Sequence, residues 1–128
     1  MAEIELAGDT IIVSETDAHG FITFANDDFI RYSGYNWDEL KGKPHNILRH
    51  PDMPKIAFKD LWETVKAGKT WNGFVKNKTK KGDFYWVYAT VSPVTGPDGS
   101  LRYISLRNKP SHDEVQKYDA LYQTMREG

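Results

Sequence analysis

Arg49, His50 and Asp52 lie within four residues of one another, just ahead of a segment with helical periodicity. Phe58, Leu61, Trp62 and Val65 recur at i, i+3, i+4 and i+7. This predicts a helix over 51–66, with Asp52 as N-cap, Pro54 in the first turn and Gly68 as terminator. A helix N-terminus offers free N–H groups and partial positive charge, and a guanidinium beside it adds bidentate capacity for phosphate oxygens. A diphosphate could be held there. The structural alternative is that Arg49 clamps Asp52 and His50 is a surface residue. Asp60 falls off the apolar stripe, which by itself reads as solvated helix surface. Trp62 lies on the stripe and Trp71 opens a later strand, and for both a core role and a ligand wall are equally open.

Strand parity places a further polar group. Over Thr70–Lys78, Trp71, Gly73, Val75 and Asn77 share one face, and Asn72, Phe74, Lys76 and Lys78 share the other. The lysines mark the second face as the solvent side, so Asn77 points inward with Val75. A buried amide needs partners, either the backbone of the next turn or a ligand with donors and acceptors.

The elements that must position these groups follow from turn chemistry and alternation. Thr10–Glu15 and Phe21–Ala25 read as a hairpin around Asp17–Gly20. From Asn26 short helical pieces are broken at Gly34, Gly42 and Pro44. After the helix over 51–66 come strands at Thr70–Lys78, Phe84–Val94 and Leu101–Asn108. Ser111 and Glu114 have capping-box spacing, and Val115, Tyr118, Tyr122 and Met125 follow as an amphipathic helix. Two strands, a group of helices and three strands predict an α+β domain on one antiparallel sheet. The expected division is an N-terminal segment 1–9, a domain 10–109 and an output or linker helix 110–128.

The chain of 128 residues with net charge −1 fits one globular domain and lacks the basic stripe of a nucleic-acid binder. No apolar run approaches the ~20 residues needed to span a bilayer. The absence of cysteine excludes disulfides, thiolate metal sites and thiol catalysis within these residues, and it is compatible with a cytoplasmic location. P-loop and Rossmann fingerprints are missing. The chain therefore reads as a binding module and not as an enzyme.

The element order, with Ser33-Gly34-Tyr35, Glu39-Leu40 and Gly42, resembles a PAS domain. The stretches Pro44–Pro54 (PHNILRHPDMP), Phe58–Trp62 (FKDLW) and Val75–Val87 (VKNKTKKGDFYWV) resemble the narrower group of aerotaxis-receptor (Aer-type) sensory domains. The resemblance covers about 10–109. It implies noncovalent FAD, signalling of redox or energy state to a chemotaxis-type or other partner, and no catalysis. It carries FAD-binding roles onto Asn26, Arg49, His50, Asp52, Asp60 and Trp62, and it sets Asn77 against the isoalloxazine. Asn77 is then the expected switch, because an amide can donate or accept by rotating as the flavin ring gains a proton. Light-sensing flavin domains of this fold use a cysteine adduct, which this chain cannot form.

Under the same resemblance Tyr85, Val87, Ala89 and Val91 face the pocket. Phe74, Trp86 and Tyr88 lie outside, too much aromatic surface to stay bare. The C-terminal helix, the N-terminal segment or a second subunit is expected to cover them, and a homodimer is one outcome. Tyr103, Ser105 and Arg107 share parity, and either Ser105 or Arg107 would reach the flavin. The competing readings are a haem-binding gas sensor using His45 or His50, and a ligand-free interaction module.

Overall fold

The computed structural model describes residues 1–127. Alternation dictates the first strand. In β1 (Ile11–Asp17) Ile12, Ser14 and Thr16 are buried while their neighbours are not. β1 turns into β2 (Ile22–Ala25) through Gly20 at φ +87°, with the Asp17 carboxylate accepting the His19 and Phe21 amides. A Cβ on Gly20 would meet the Trp62 ring at 3.4 Å, an ordinary contact, so it is the turn that asks for glycine.

Asn26 caps α1 (Asp27–Ser33), and α2 (Trp37–Leu40) carries a capping box between Asn36 and Glu39. A 3₁₀ turn follows at His45–Leu48, and α3 spans Lys55–Lys66. Asp52 is not the cap of α3: Pro54 holds that position, with no side-chain cap. β3 (Trp71–Lys78), β4 (Phe84–Thr95) and β5 (Leu101–Asn108) complete the chain's sheet, in the order β2-β1-β5-β4-β3, antiparallel throughout.

The helices from α1 to α3 cover one face of the sheet. The other face is met by α4 (His112–Glu127), whose capping box at Ser111 and Glu114 is formed as expected. Tyr118 lies 4.3 Å from the Phe74 ring, Tyr122 stacks on Trp86, and the Tyr122 hydroxyl donates to the Phe74 carbonyl at 2.6 Å. The outer aromatics are thus covered by the chain's own last helix. α4 reaches only the β3–β4 half, and Ile11, Phe24 and Leu106 stay exposed.

β4 overhangs β5, whose pairing with β4 stops at Tyr88 opposite Asn108. Residues 2–4 lie along the free part of β4. The Ile4 amide donates to the Phe84 carbonyl at 2.7 Å, and the Phe84 amide donates back to Ala2. Leu6 is buried in the core. No described helix is long and apolar enough to cross a membrane.

Candidate functional site

A cavity of about 310 Å³ lies between the inner face of the sheet and the helical layer. Its sheet wall is Ser14 and Thr16 from β1, Val75 and Asn77 from β3, Ala89 and Val91 from β4, and Tyr103, Ser105 and Arg107 from β5. The helical wall is His45, Arg49, Phe58, Leu61 and Trp62. Exposed His19, Pro44, Asn46 and Arg49 mark its mouth. Small Ala89 opposite Gly73 keeps the floor low, and the Trp62 ring meets Tyr103 edge-on at 5.4 Å.

The polar end of the cavity is built on Arg107. Arg107 is 3% exposed and pairs with no carboxylate among the described residues. Its Nη2 donates to Ser14 Oγ and to His45 Nε2, the latter at 2.9 Å, and the group lies over the Phe29 ring. Nη1 has no partner. Burial pulls this guanidinium down to about 10. Because arginine only donates, His45 Nε2 must accept, which puts the ring proton on Nδ1 and leaves the imidazole neutral. Burial, then the Arg107 and Arg49 charges, push His45 down to about 3. His45 keeps some accessible surface as a residue, and it lines the cavity.

Two more buried hydroxyls, Thr16 and Tyr85, have no partner. Burial pushes Tyr85 up to about 12, against a smaller opposing effect of Arg107. The Asn77 amide lies near this hydroxyl but falls short of a good hydrogen bond. The cavity therefore has apolar sides and a cationic end at Arg107, while the Tyr85 hydroxyl lies outside its lining and Thr16 stands four positions along β1 from the rung that carries Arg107. That pattern suits a flat ligand with acceptors along one edge.

Arg49, Trp62, Asn77, Ser105 and Arg107 line this cavity together. Both Ser105 and Arg107 are present, which parity alone left as a choice. Arg49 does not clamp Asp52: its guanidinium lies over the Phe58 ring, 3.8 Å from the centroid, and its backbone bridges Asn77.

The other five lie off the cavity wall. Asn26 is occupied by backbone, accepting from Val13 and Phe29 amides and donating to Ile11. His50 is buried on the far side of the chain from Arg49, against Phe84. Asp52 pairs with Lys76 at 2.8 Å, and this bond holds its carboxyl below the usual range. Lys76 is consequently buried and not solvent-facing as the lysine pattern suggested.

Asp60 is not a bare surface group, because it accepts from the Trp71 indole at 2.9 Å. That indole folds over Gly73, where an added Cβ would come within 2.3 Å of the ring. Trp71 and Asp60 line a groove between α3, β3 and α4 instead of the cavity. Ser14, Thr16 and Tyr103 line the cavity without standing out in the sequence as site residues. The signal for the first two is that Ser14 and Thr16 follow Ile12 on the buried face of β1, and for Tyr103 its shared parity with Ser105 and Arg107 on β5.

The chain matches the family described as PAS fold over residues 22–117. It is 46% identical over 123 residues to the aerotaxis receptor of Escherichia coli, covering 96% of this chain and 24% of that receptor. Identity to the biofilm dispersion protein BdlA of Pseudomonas aeruginosa is 34% over 119 residues, with 87% and 28% coverage. The nitrogen fixation regulatory protein of Klebsiella pneumoniae is 30% identical over 94 residues, with 73% and 19% coverage. The chain thus spans about a quarter or less of the aerotaxis receptor and the nitrogen fixation regulator. In solved structures, the light state of the blue-light photoreceptor Aureochrome1 LOV superposes with TM-score 0.72 at 21% identity, covering 91% of each chain, a likeness of fold. The match over 22–117, on a five-stranded sheet whose helices enclose one cavity, makes this chain a member of the PAS family.

Proposed function

We propose that the cavity binds FAD noncovalently through its isoalloxazine ring, and that the domain passes redox or energy state to a chemotaxis-type or other signalling partner without catalysis. One observation carries the reading: Arg107 lines an apolar cavity with its guanidinium buried and, among the described residues, no carboxylate beside it. A desolvated cation is costly unless a ligand brings acceptors or negative charge to it. The carbonyl edge of a flavin is such an acceptor, and the apolar walls suit its ring. Bound flavin supplies reversible electron uptake coupled to protonation.

Arg107, Asn77 and Ser105 would hold the polar edge, Trp62 would wall the ring, and Arg49 at the mouth would meet the diphosphate. Asn26, His50, Asp52, Asp60 and Trp71 would support that wall from outside it. Asn77 can turn either NH₂ or C=O to the cavity, and its strand β3 is bridged to Arg49. Similarity to an aerotaxis receptor supports the signalling role, and as part of the same proposal the domain is set in the cytoplasm. The exposed apolar half of the sheet supports a homodimer or a docked receptor domain as partner.

The haem reading is less well supported. His50 is off the cavity, and Nε2 of His45 already accepts from Arg107. The test is a visible spectrum of the purified protein, before and after reconstitution with FAD. Two broad flavin bands are expected, and they should be lost from Arg107→Met under the same conditions. A sharp Soret band, or a protein still colourless after reconstitution, overturns the assignment.

A further inference from the structure

Residues 49–53 touch the cavity at one end and α4 at the other. Arg49 lines the cavity and bridges Asn77 of β3. The adjacent strand residue, Lys76, turns to the outer face and is buried there, 8% exposed. Its ammonium meets Asp52 Oδ2 at 2.8 Å and lies 4.3 Å from the centre of the Phe84 ring. Its backbone amide meets Met53 Sδ. The Asp52 carbonyl in turn accepts from Arg126 in the last turn of α4. The segment and β3 therefore form two adjacent rungs, one facing the cavity (Arg49 with Asn77) and one facing α4 (Asp52 with Lys76).

We infer that Asp52 and Lys76 are positioning residues that latch the segment 49–53 to β3, so that a shift at the cavity rung is delivered to the last turn of α4 through Arg126. The latch depends on charge. A lysine buried among aromatic rings is tolerated only while its partner carboxylate is present. Without that partner the ammonium gains by reaching water, which requires the segment and the α4 turn it holds to lift. Removing the lysine charge leaves an apolar side chain against Phe84 and a half-exposed Asp52 that water can solvate, so the contact stays closed but no longer pulls on the segment. His50 supports the hinge, its Nδ1 accepting the Asp52 amide at 3.0 Å.

The test is amide hydrogen exchange on the whole 128-residue chain, with β5 as internal reference. Asp52→Asn should speed exchange over residues 121–126 about fivefold or more, and leave 103–106 unchanged. Lys76→Met should not speed it, and in the Lys76→Met background Asp52→Asn should lose its effect. Arg49→Ala, a change on the cavity side, should alter α4 exchange in the native background and leave it unaltered in Lys76→Met. Lys76→Arg should behave as the native chain. The latch is overturned by equal Asp52→Asn effects with and without Lys76→Met, by loosening of β5 to the same degree, or by an Arg49→Ala effect that survives Lys76→Met.

A last arm rests on the flavin reading. With FAD bound, the difference in α4 exchange between oxidised and reduced protein should be present in the native chain and absent in Lys76→Met. A difference that persists in Lys76→Met refutes the latch. Failure of FAD to bind counts against the flavin assignment alone, because the preceding arms need no ligand.

Discussion

Arg107 sets two requirements against each other. Its burial without a carboxylate among the described residues weakens the empty fold, while its charge at the cavity wall is what a ligand would use. Arg107→Met should therefore raise the stability of the ligand-free domain by about 1–2 kcal/mol in urea unfolding, since a desolvated charge is removed at similar volume. The same variant should lose about 10- to 100-fold in FAD affinity, measured by titration. A ligand-free domain that is weakened, with affinity intact, would show that Arg107 is structural. His45 adds a pH dependence. Its folded value of about 3 lies below the ordinary 6.5, so the unfolded chain binds the proton first. The His45 contribution to stability is full above about pH 6.5 and is lost as pH falls towards 3. Between pH 7 and 5 the native domain should lose about 1–2 kcal/mol more than His45→Gln, which keeps an acceptor for Arg107. Parallel pH profiles of the two proteins would contradict a buried neutral imidazole.

Helix α4 is held by one aromatic cluster more than by its length. Tyr122 is buried, stacks on Trp86 and donates to the Phe74 carbonyl. Tyr122→Phe should cost about 1 kcal/mol, and Tyr122→Ala about 3–5 kcal/mol with α4 undocked, both read by urea unfolding and Trp fluorescence. Similar small losses for both would mean that α4 is only loosely docked. This helix was legible in sequence because its capping box and three-four spacing are local signals. So were the strands: alternation put Asn77 on the face opposite Lys76 and Lys78 and gave Ser105 and Arg107 the same parity, leaving open which of the two meets the pocket, although Lys76 itself is buried. The signature segment was harder. Asp52 has the residue type and position of an N-cap, yet it is drawn to Lys76, a neighbour 24 positions away whose burial no local pattern discloses. Likewise the Trp71–Asp60 bond depends on how α3 lies across β3, which spacing does not encode. In the sequence His45 reads only as a candidate haem ligand, because its role follows from a contact with Arg107 near the far end of the chain.

At the scale of the whole molecule, the N-terminal segment closes what the sheet leaves open. Ala2 and Ile4 satisfy the overhanging start of β4, and Leu6 fills the core. Deleting residues 1–8 should cost about 2–4 kcal/mol through lost apolar burial, and the bared edge should promote self-association on a sizing column. Unchanged stability and a monomeric profile would assign the segment no such part. The sheet order has a mechanical consequence as well. β1 and β5 are neighbours, and the first residue of β1 faces the last of β5, Ile11 opposite Asn108. Tension applied through the two flanking segments, once α4 is peeled off, falls on that one rung. The pair then unzips towards Asp17 and Arg102 one bond at a time, with no shear load shared along its length. A domain wired in this way yields to small forces at its flanks.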